Sequence, residues 1–339
     1  MSAPEMSAPV MNAPVMNAPD MILQVRDLTV SFRTERGLVR AIDRVSFDVG
    51  AGEVLGIVGE SGSGKTVTVL AVMGLITDPN AVIEGSIRFR GRELVGLPAR
   101  DMRHLRGREI AMIFQDPMTA LTPVYTIGWQ IAEQIRAHQT VSKAQAMNRA
   151  VELLAEVGIP KPEEAILRYP HQLSGGMRQR AVIAMALSCN PVLLVADEPT
   201  TALDVTVQAQ ILDLLRRLQA SHGSSIIFIT HDLGVIAELA DRTMVMYAGR
   251  IAERASSAAI FAGPRHPYTR ALLDSIPPLD GPRPNRLRAI PGAPPSLLAR
   301  PAGCAFAPRC AHRMPICDTQ PKLSPGAHET ACFLVNPDD

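Results

Sequence analysis

The string GESGSGKT, running from Gly59 to Thr66, combines residues that can grip a phosphate with glycines that let the backbone do the same. Gly59, Glu60, Ser61, Gly62, Ser63 and Gly64 would form a loop whose N–H groups turn inward around an anion. Lys65 would reach the outer phosphates, and the Thr66 hydroxyl would bind magnesium; the next residue, Val67, is given no role. A second chemical group stands at the end of PVLLVADE, where Asp197 and Glu198 follow an apolar run. Such a pair suits a magnesium enzyme, with Asp197 holding the metal through its water shell and Glu198 polarising an attacking water. Two adjacent carboxylates can also be a mere solvated turn; beside a phosphate loop the catalytic reading prevails. In LSGGMRQR, Ser174 precedes Gly175 and Gly176 at the start of a helical run, where Ser174 can cap and the open N–H groups can bind an anion.

These groups need a frame, and the pattern of the chain supplies one. EVLGIVG (Glu53 to Gly59) reads as a buried strand and TVTVLAVMGL (Thr66 to Leu75) as a helix, so the loop lies on a strand-to-helix crossover. EIAMIFQD (109–116), PVLLVADE (191–198) and SSIIFITHD (224–232) are further buried strands with polar C-terminal ends, the edge at which open α/β sheets bind ligands. ILQVRDLTVSF (22–32) and RAIDRVSFDV (40–49) alternate apolar and polar residues, which predicts antiparallel strands. AEQIRAHQ and KAQAMNRAVELLAEVG are amphipathic and predict a helical insert at about 118–180. The expectation is an α/β domain with a mainly parallel sheet over 21–262. After Gly263 prolines cluster and periodicity fades, which suggests a separate appendage over 263–339. Residues 1–20 repeat a five-residue unit, MSAPE, MSAPV, MNAPV and MNAPD, and read as a disordered tail.

With 34 Lys and Arg against 33 Asp and Glu in 339 residues, no excess charge favours nucleic acid as a ligand. No apolar run approaches the roughly eighteen residues of a membrane span, and no basic segment followed by an apolar one suggests a secretory signal. The expected location is therefore cytoplasmic.

Taken together and in order, the motifs resemble those of the nucleotide-binding subunit of ATP-binding cassette (ABC) transporters. GESGSGKT resembles the Walker A loop, Gln115 in FQDP the lid glutamine, LSGGMRQR the signature, VLLVADEP the Walker B strand, ALD (Ala202 to Asp204) the dimer-contact loop, and His231 in ITHD the switch histidine. Phe32 matches the position that stacks on adenine. Met177 departs from the usual signature glutamine. The resemblance implies a P-loop NTPase core with an antiparallel β subdomain and a helical insert, binding ATP and Mg2+. It further implies magnesium held by Thr66, Gln115 and Asp197, and water prepared by Glu198, His231 and Gln115 with Lys65 on the phosphates. It also implies that the signature residues Ser174, Gly175 and Gly176 bind the nucleotide of a second, homologous ATPase, with Asp204 of the dimer-contact loop a further nucleotide-binding candidate. QDPMTALTPVYTIGWQI, DEPTTALDVTVQAQI and HPYTRALLDSIP are similar to segments of dipeptide/oligopeptide importer ATPases, of the kind whose signature reads SGGM. That likeness implies a heterodimer under two membrane permeases, with an extracytoplasmic substrate-binding protein, at the cytoplasmic face of the inner membrane. Nickel, glutathione and sugars are carried by relatives with similar ATPases. A soluble cassette ATPase outside transport is the other reading, and the double cassettes or long insertions of such proteins are not visible here.

Cys304, Cys310, Cys317 and Cys332 fall in the proline-rich tail. Disulfides are not expected in the cytoplasm, and the paired spacing of a zinc site is missing. Four thiolates can instead ligate an iron–sulfur cluster, and the resemblance points to a [4Fe–4S] cluster in some importer ATPases with this tail; zinc and unligated thiols stay open as alternatives. Cys189, placed in the helix after the signature, reads as a small core residue.

Overall fold

The computed structural model describes residues 21–116, 120–201, 203–276 and 289–335. The N-terminal repeat lies outside the described residues. Two long strands, β1 (Met21–Thr34) and β2 (Gly37–Gly50), pair antiparallel as a hairpin. β3 (Val54–Val58) leads through the glycine-rich loop into α1 (Lys65–Val72). β4 (Ala81–Phe89) returns to pair with β1 and with the short β5 (Arg92–Glu93), followed by α2 (Ala99–Leu105). This stretch was not anticipated from the sequence, although AVIEGSIRF carries a strand's composition.

β6 (Ile110–Ile113) then enters a second sheet, and the helical insert follows as α3 (Ile127–His138), α4 (Lys143–Glu156), the short α5 (Pro162–Ala165) and α6 (Gly175–Leu187). β7 (Leu193–Asp197), α7 (Val205–His222), β8 (Ser225–Ile229), α8 (Leu233–Leu239), β9 (Arg242–Tyr247) and β10 (Arg250–Ser256) complete the frame. α9 (Ser257–Ala262), α10 (Pro267–Asp274) and β11 (Glu329–Thr330) come last. The second sheet has the order β11-β10-β9-β3-β8-β7-β6. Strands β9, β3, β8, β7 and β6 are parallel, and β10 and β11 run antiparallel at one edge.

β3, β7 and β8 are buried at every residue, as expected of parallel strands covered on both faces. Their pleat divides the interior in two. Leu55, Ile57, Leu193, Val195, Ile227 and Ile229 face the core shared with the antiparallel sheet; Val54, Val58, Leu194, Ala196, Ile226 and Phe228 face the core shared with the helices. Gly56 keeps α8 close, since a Cβ there would lie 2.7 Å from Ile236 Cδ1. Because the central strands are parallel, the chain leaves β3, β6, β7 and β8 at one common edge.

Two expectations need correction. The segment after Gly263 is not separate from the cassette. β11 extends the main sheet, and Tyr268 is fully buried against Tyr247 (ring centroids 4.5 Å apart) and Phe306 (5.3 Å). A short proline-rich chain cannot bury two large aromatic rings by itself; here Tyr268 and Phe306 pack on Tyr247 of β9 and close the helix-side core of the main domain. Cys189 is buried as expected, but lies beyond the end of α6 at Leu187.

Candidate nucleotide site

The loop between β3 and α1 is built on glycine geometry. Gly59, Gly62 and Gly64 have φ of 151°, 77° and 104°, and a Cβ on Gly59 would stand 2.2 Å from the Met246 carbonyl oxygen. Gly64 occupies the N-cap of α1, so the first N–H groups of that helix have no intrahelical partner and open toward an anion. Lys65 is buried (6% exposed) and its Nζ donates to the carbonyls of Gly59 (2.7 Å) and Glu60 (3.1 Å). Burial lowers the pKa of this ammonium, opposed by the nearby Glu198, Asp197 and Glu60 carboxylates. The Ser63 hydroxyl is buried with no hydrogen-bond partner among the described residues.

Across the cleft, the Thr66 hydroxyl donates to Asp197 at 3.4 Å, joining the two ends predicted to hold magnesium. Asp197 is 3% exposed, and burial pushes its carboxyl pKa up, helped by Glu198 and opposed by Thr66 and Lys65. Glu198 follows β7 in a left-handed backbone conformation, φ 46°, which is strained for a residue other than glycine. Three groups meet its Oε2: Gln115 Nε2 at 3.1 Å, the Thr201 hydroxyl at 3.0 Å and His231 Nδ1 at 3.4 Å. His231 is 65% exposed on its side chain, whereas Glu198 is 16% exposed, so the histidine approaches from the solvent side. A cleft of about 220 Å³ runs between Ser61–Val67, Gln115 and Glu198, and is also lined by Ala41 and Leu297. An oxygen-rich donor set at the mouth of an anion-binding loop fits MgATP, with Thr66, Asp197 and Gln115 available to the metal.

Other predicted residues lie apart from this cleft. Phe32 does not line it; on β1 it stands opposite Val39 and Ala81 and packs half-buried on the core of the antiparallel sheet. Ser174 caps α6, accepting from the Met177 N–H at 3.3 Å, and is exposed together with Gly175. Asp204 caps α7 through Val207 N–H at 2.9 Å. The two helix starts touch: a Cβ on Gly176 would meet Val207 Cγ1 at 2.8 Å. Ala202 of the predicted dimer-contact loop lies outside the described residues.

The structure also places residues that the sequence reading missed. Thr201 reaches Glu198, and two tail residues hold the phosphate loop: Tyr268 Oη accepts from the Glu60 N–H at 2.8 Å, and Arg309 makes a two-pronged ion pair with the Glu60 carboxylate at 2.6 and 3.0 Å. The available signal was an arginine embedded in the apolar run FAPRC. In the same tail, backbone N–H groups of His312 and Met314 point at Cys310 Sγ (3.4 Å) and Cys317 Sγ (3.5 Å). Burial raises the thiol pKa values of Cys304, Cys310 and Cys332, and neighbouring tail cysteines raise them further. Among the described residues no group of three or more His, Cys, Asp or Glu is placed to hold a metal ion, so the expected [4Fe–4S] cluster finds no support in the geometry.

Comparison with known proteins agrees with the cleft. The family described as ABC transporter matches residues 42–201, and that described as oligopeptide/dipeptide transporter, C-terminal region, matches 252–317. A probable peptide ABC transporter ATP-binding protein of Sinorhizobium fredii is 52% identical over 322 residues, covering 94% of this chain and 96% of that one. The oligopeptide transport ATP-binding protein of Bacillus subtilis is 53% identical over 322 residues, 94% of this chain and 90% of that one. The dipeptide transport ATP-binding protein of Escherichia coli is 50% identical over 296 residues, 87% of this chain and 90% of that one. Among solved structures, a dimeric ATP-binding cassette in a post-hydrolysis state with ADP and Pi superimposes with a TM-score of 0.63 at 25% identity, covering 69% of this chain and 98% of that one. A cassette of Clostridium perfringens that is part of a transporter complex gives 0.61 at 26% identity, covering 72% and 92%.

Proposed function

This chain belongs to the ABC transporter ATPases, and from that premise we propose that it hydrolyses MgATP to drive import of dipeptides or oligopeptides through membrane permeases. The observation that carries the chemistry is the convergence of Gln115, Thr201 and His231 on one oxygen of Glu198, a strand's end away from the Thr66–Asp197 pair. Lys65 and the α1 N–H groups bind and orient the phosphates. Thr66, Asp197 and Gln115 would hold magnesium, which would supply positive charge to neutralise the outer phosphates. Glu198 accepts a proton from the attacking water, and Gln115 and His231 keep its carboxylate aimed.

The signature end needs a partner. Ser174 and Gly175 are exposed and do not line this chain's own cleft, and beside them Val205 is 83% exposed. We read this face as the one that closes on the nucleotide of a homologous ATPase, making a heterodimer. An apolar cleft of about 240 Å³ between the sheet and the insert, lined by Met112, Phe114, Ala120 and Met185, suits an apolar helix of a permease. Phe114, Val124, Tyr125 and Trp129 expose large apolar surface nearby. No helix among the described residues is long and apolar enough to cross a membrane; the reading is a peripheral subunit on the cytoplasmic side, working with an extracytoplasmic binding protein. For Cys304, Cys310, Cys317 and Cys332 a [4Fe–4S] cluster stays a proposal that rests on the resemblance of the tail alone, with zinc and unligated thiols as its alternatives.

The test is ATP hydrolysis by the assembled transporter, co-expressed with partner ATPase, permeases and binding protein. Stimulation by di- or oligopeptides is expected. Stimulation by nickel, glutathione or a sugar with none by peptides would overturn the cargo assignment.

A further inference from the structure

The contact between the C-terminal segment and the phosphate loop goes beyond cargo and catalysis. Glu60 is held at three of its polar groups. Its N–H donates to Tyr268 Oη (2.8 Å), its carbonyl accepts from Lys65 Nζ (3.1 Å), and its carboxylate takes both terminal nitrogens of Arg309. The guanidinium is in turn fixed on the tail side: Nε donates to the Pro291 carbonyl (2.9 Å), Nη1 also reaches Tyr247 Oη (3.2 Å), and the rings of Tyr247 and Phe306 lie 5.9 Å from its centre. The Arg309 side chain is 4% exposed, and that of Glu60 is 26% exposed. A guanidinium with its fork occupied by one carboxylate and its stem locked by a carbonyl has a single geometry, unlike a surface pair between two mobile side chains.

The tail meets the nucleotide cleft a second time. Arg300 donates to Asp43 (3.1 Å) and to the Arg40 carbonyl (2.6 Å), and this anchor places Leu297 among the residues lining the cleft. Within the loop, Lys65 bonds the Gly59 and Glu60 carbonyls, and the two tail contacts add to that from outside. Both bear on where the loop stands relative to an incoming phosphate.

We propose that the C-terminal segment is a working part of the nucleotide site, with Arg309 a positioning residue that sets the phosphate loop through Glu60. The proposal rests on the ATPase reading above. The Arg309–Glu60 pair holds the loop's first turn in place, so that binding ATP costs less ordering of the backbone. Removing either partner loosens the loop and weakens MgATP binding, while the water-activating group around Glu198 stays intact.

The experiment compares Glu60→Gln, Arg309→Ala, Arg309→Lys and the double variant Glu60→Gln/Arg309→Ala in the assembled transporter, measuring KM and kcat for MgATP and the Kd of a fluorescent ATP analogue. Each single removal should raise KM and Kd about tenfold, with kcat held within about threefold. The double variant should be no worse than the more affected single one, because both remove the same clamp. Arg309→Lys, which keeps the charge but loses the fork, should recover only part of the affinity. Glu60→Gln leaves the tail's core untouched, so it decides alone if Arg309→Ala fails to fold. Wild-type KM and Kd in Glu60→Gln, or multiplied effects in the double variant, would overturn the proposal. A wild-type transporter that fails to bind ATP would instead overturn the ATPase reading.

Discussion

At the scale of single residues, the site keeps charges in places that cost the empty protein stability. Asp197 is buried at a strand end with its carboxyl pKa raised chiefly by desolvation. A carboxyl that binds its proton more tightly folded than unfolded loses stability as pH rises from its ordinary range, near 4, through the raised folded value. At neutral pH the nucleotide-free protein therefore carries a penalty that a metal ion would relieve. Asp197→Asn removes that charge, and the variant without nucleotide should melt higher than wild type by on the order of 2 °C at pH 7.5, with the gap closing toward pH 4. Magnesium-dependent ATP binding should be lost in the same variant. Thermal melts at the two pH values check the sign: a variant that melts lower at pH 7.5 contradicts the burial argument. Glu198 carries a different strain, in its backbone, where φ is 46°. That turn aims its carboxylate at Gln115, Thr201 and His231 together.

At the scale of elements, the parallel strands were legible because burial on both faces demands unbroken apolar runs, as in VLGIV, LLVAD and SIIFI. Their polar C-terminal neighbours marked the site. β4 escaped because most of its nine residues are partly buried or exposed, so its apolar pattern is weak, and the two-residue β5 and seven-residue α2 are too short to carry a period. Phe32 was legible as an aromatic ring in a strand, but not its place opposite Val39 and Ala81, which only the strand register fixes. The tail's partnership was hidden by distance: Arg309 lies 249 residues from Glu60 along the chain, and Tyr268 lies 208. α10 is tied to β10 through its N-cap, His266, whose N–H donates to Glu253 Oε2 at 3.0 Å and whose Nδ1 accepts from the Tyr268 N–H at 3.0 Å. Burial lowers its pKa to about 4, with the Glu253 carboxylate opposing that shift, and Glu253 also faces His328 Nε2 at 2.6 Å. A histidine held neutral in the fold and protonated near 6.5 when unfolded contributes full stability above that pH and loses it as pH falls toward 4. About 3 kcal/mol is at stake over that window. Denaturant titrations at pH 7.5 and 5 should show a smaller pH-dependent loss in His266→Gln than in wild type. Equal losses in both would contradict the assignment.

At the scale of the whole molecule, two sheets and a helical insert gather four short segments, distant in sequence, at one edge of the parallel strands. The phosphate loop, Gln115 and Glu198 line one cleft, with Asp197 joined to it through Thr66 and His231 through Glu198, whereas Ser174 and Asp204 cap helices that face outward. The tail adds Leu297 to the lining of that cleft and holds Glu60 of the loop through Tyr268 and Arg309. The central proposal is that Glu198 activates water there. The direct measurement is steady-state hydrolysis and retained nucleotide in the assembled transporter carrying Glu198→Gln. The account predicts turnover lowered by at least about 100-fold, with ATP, not ADP, recovered from the washed complex. Turnover at the wild-type rate, with ADP as the bound product, would contradict it.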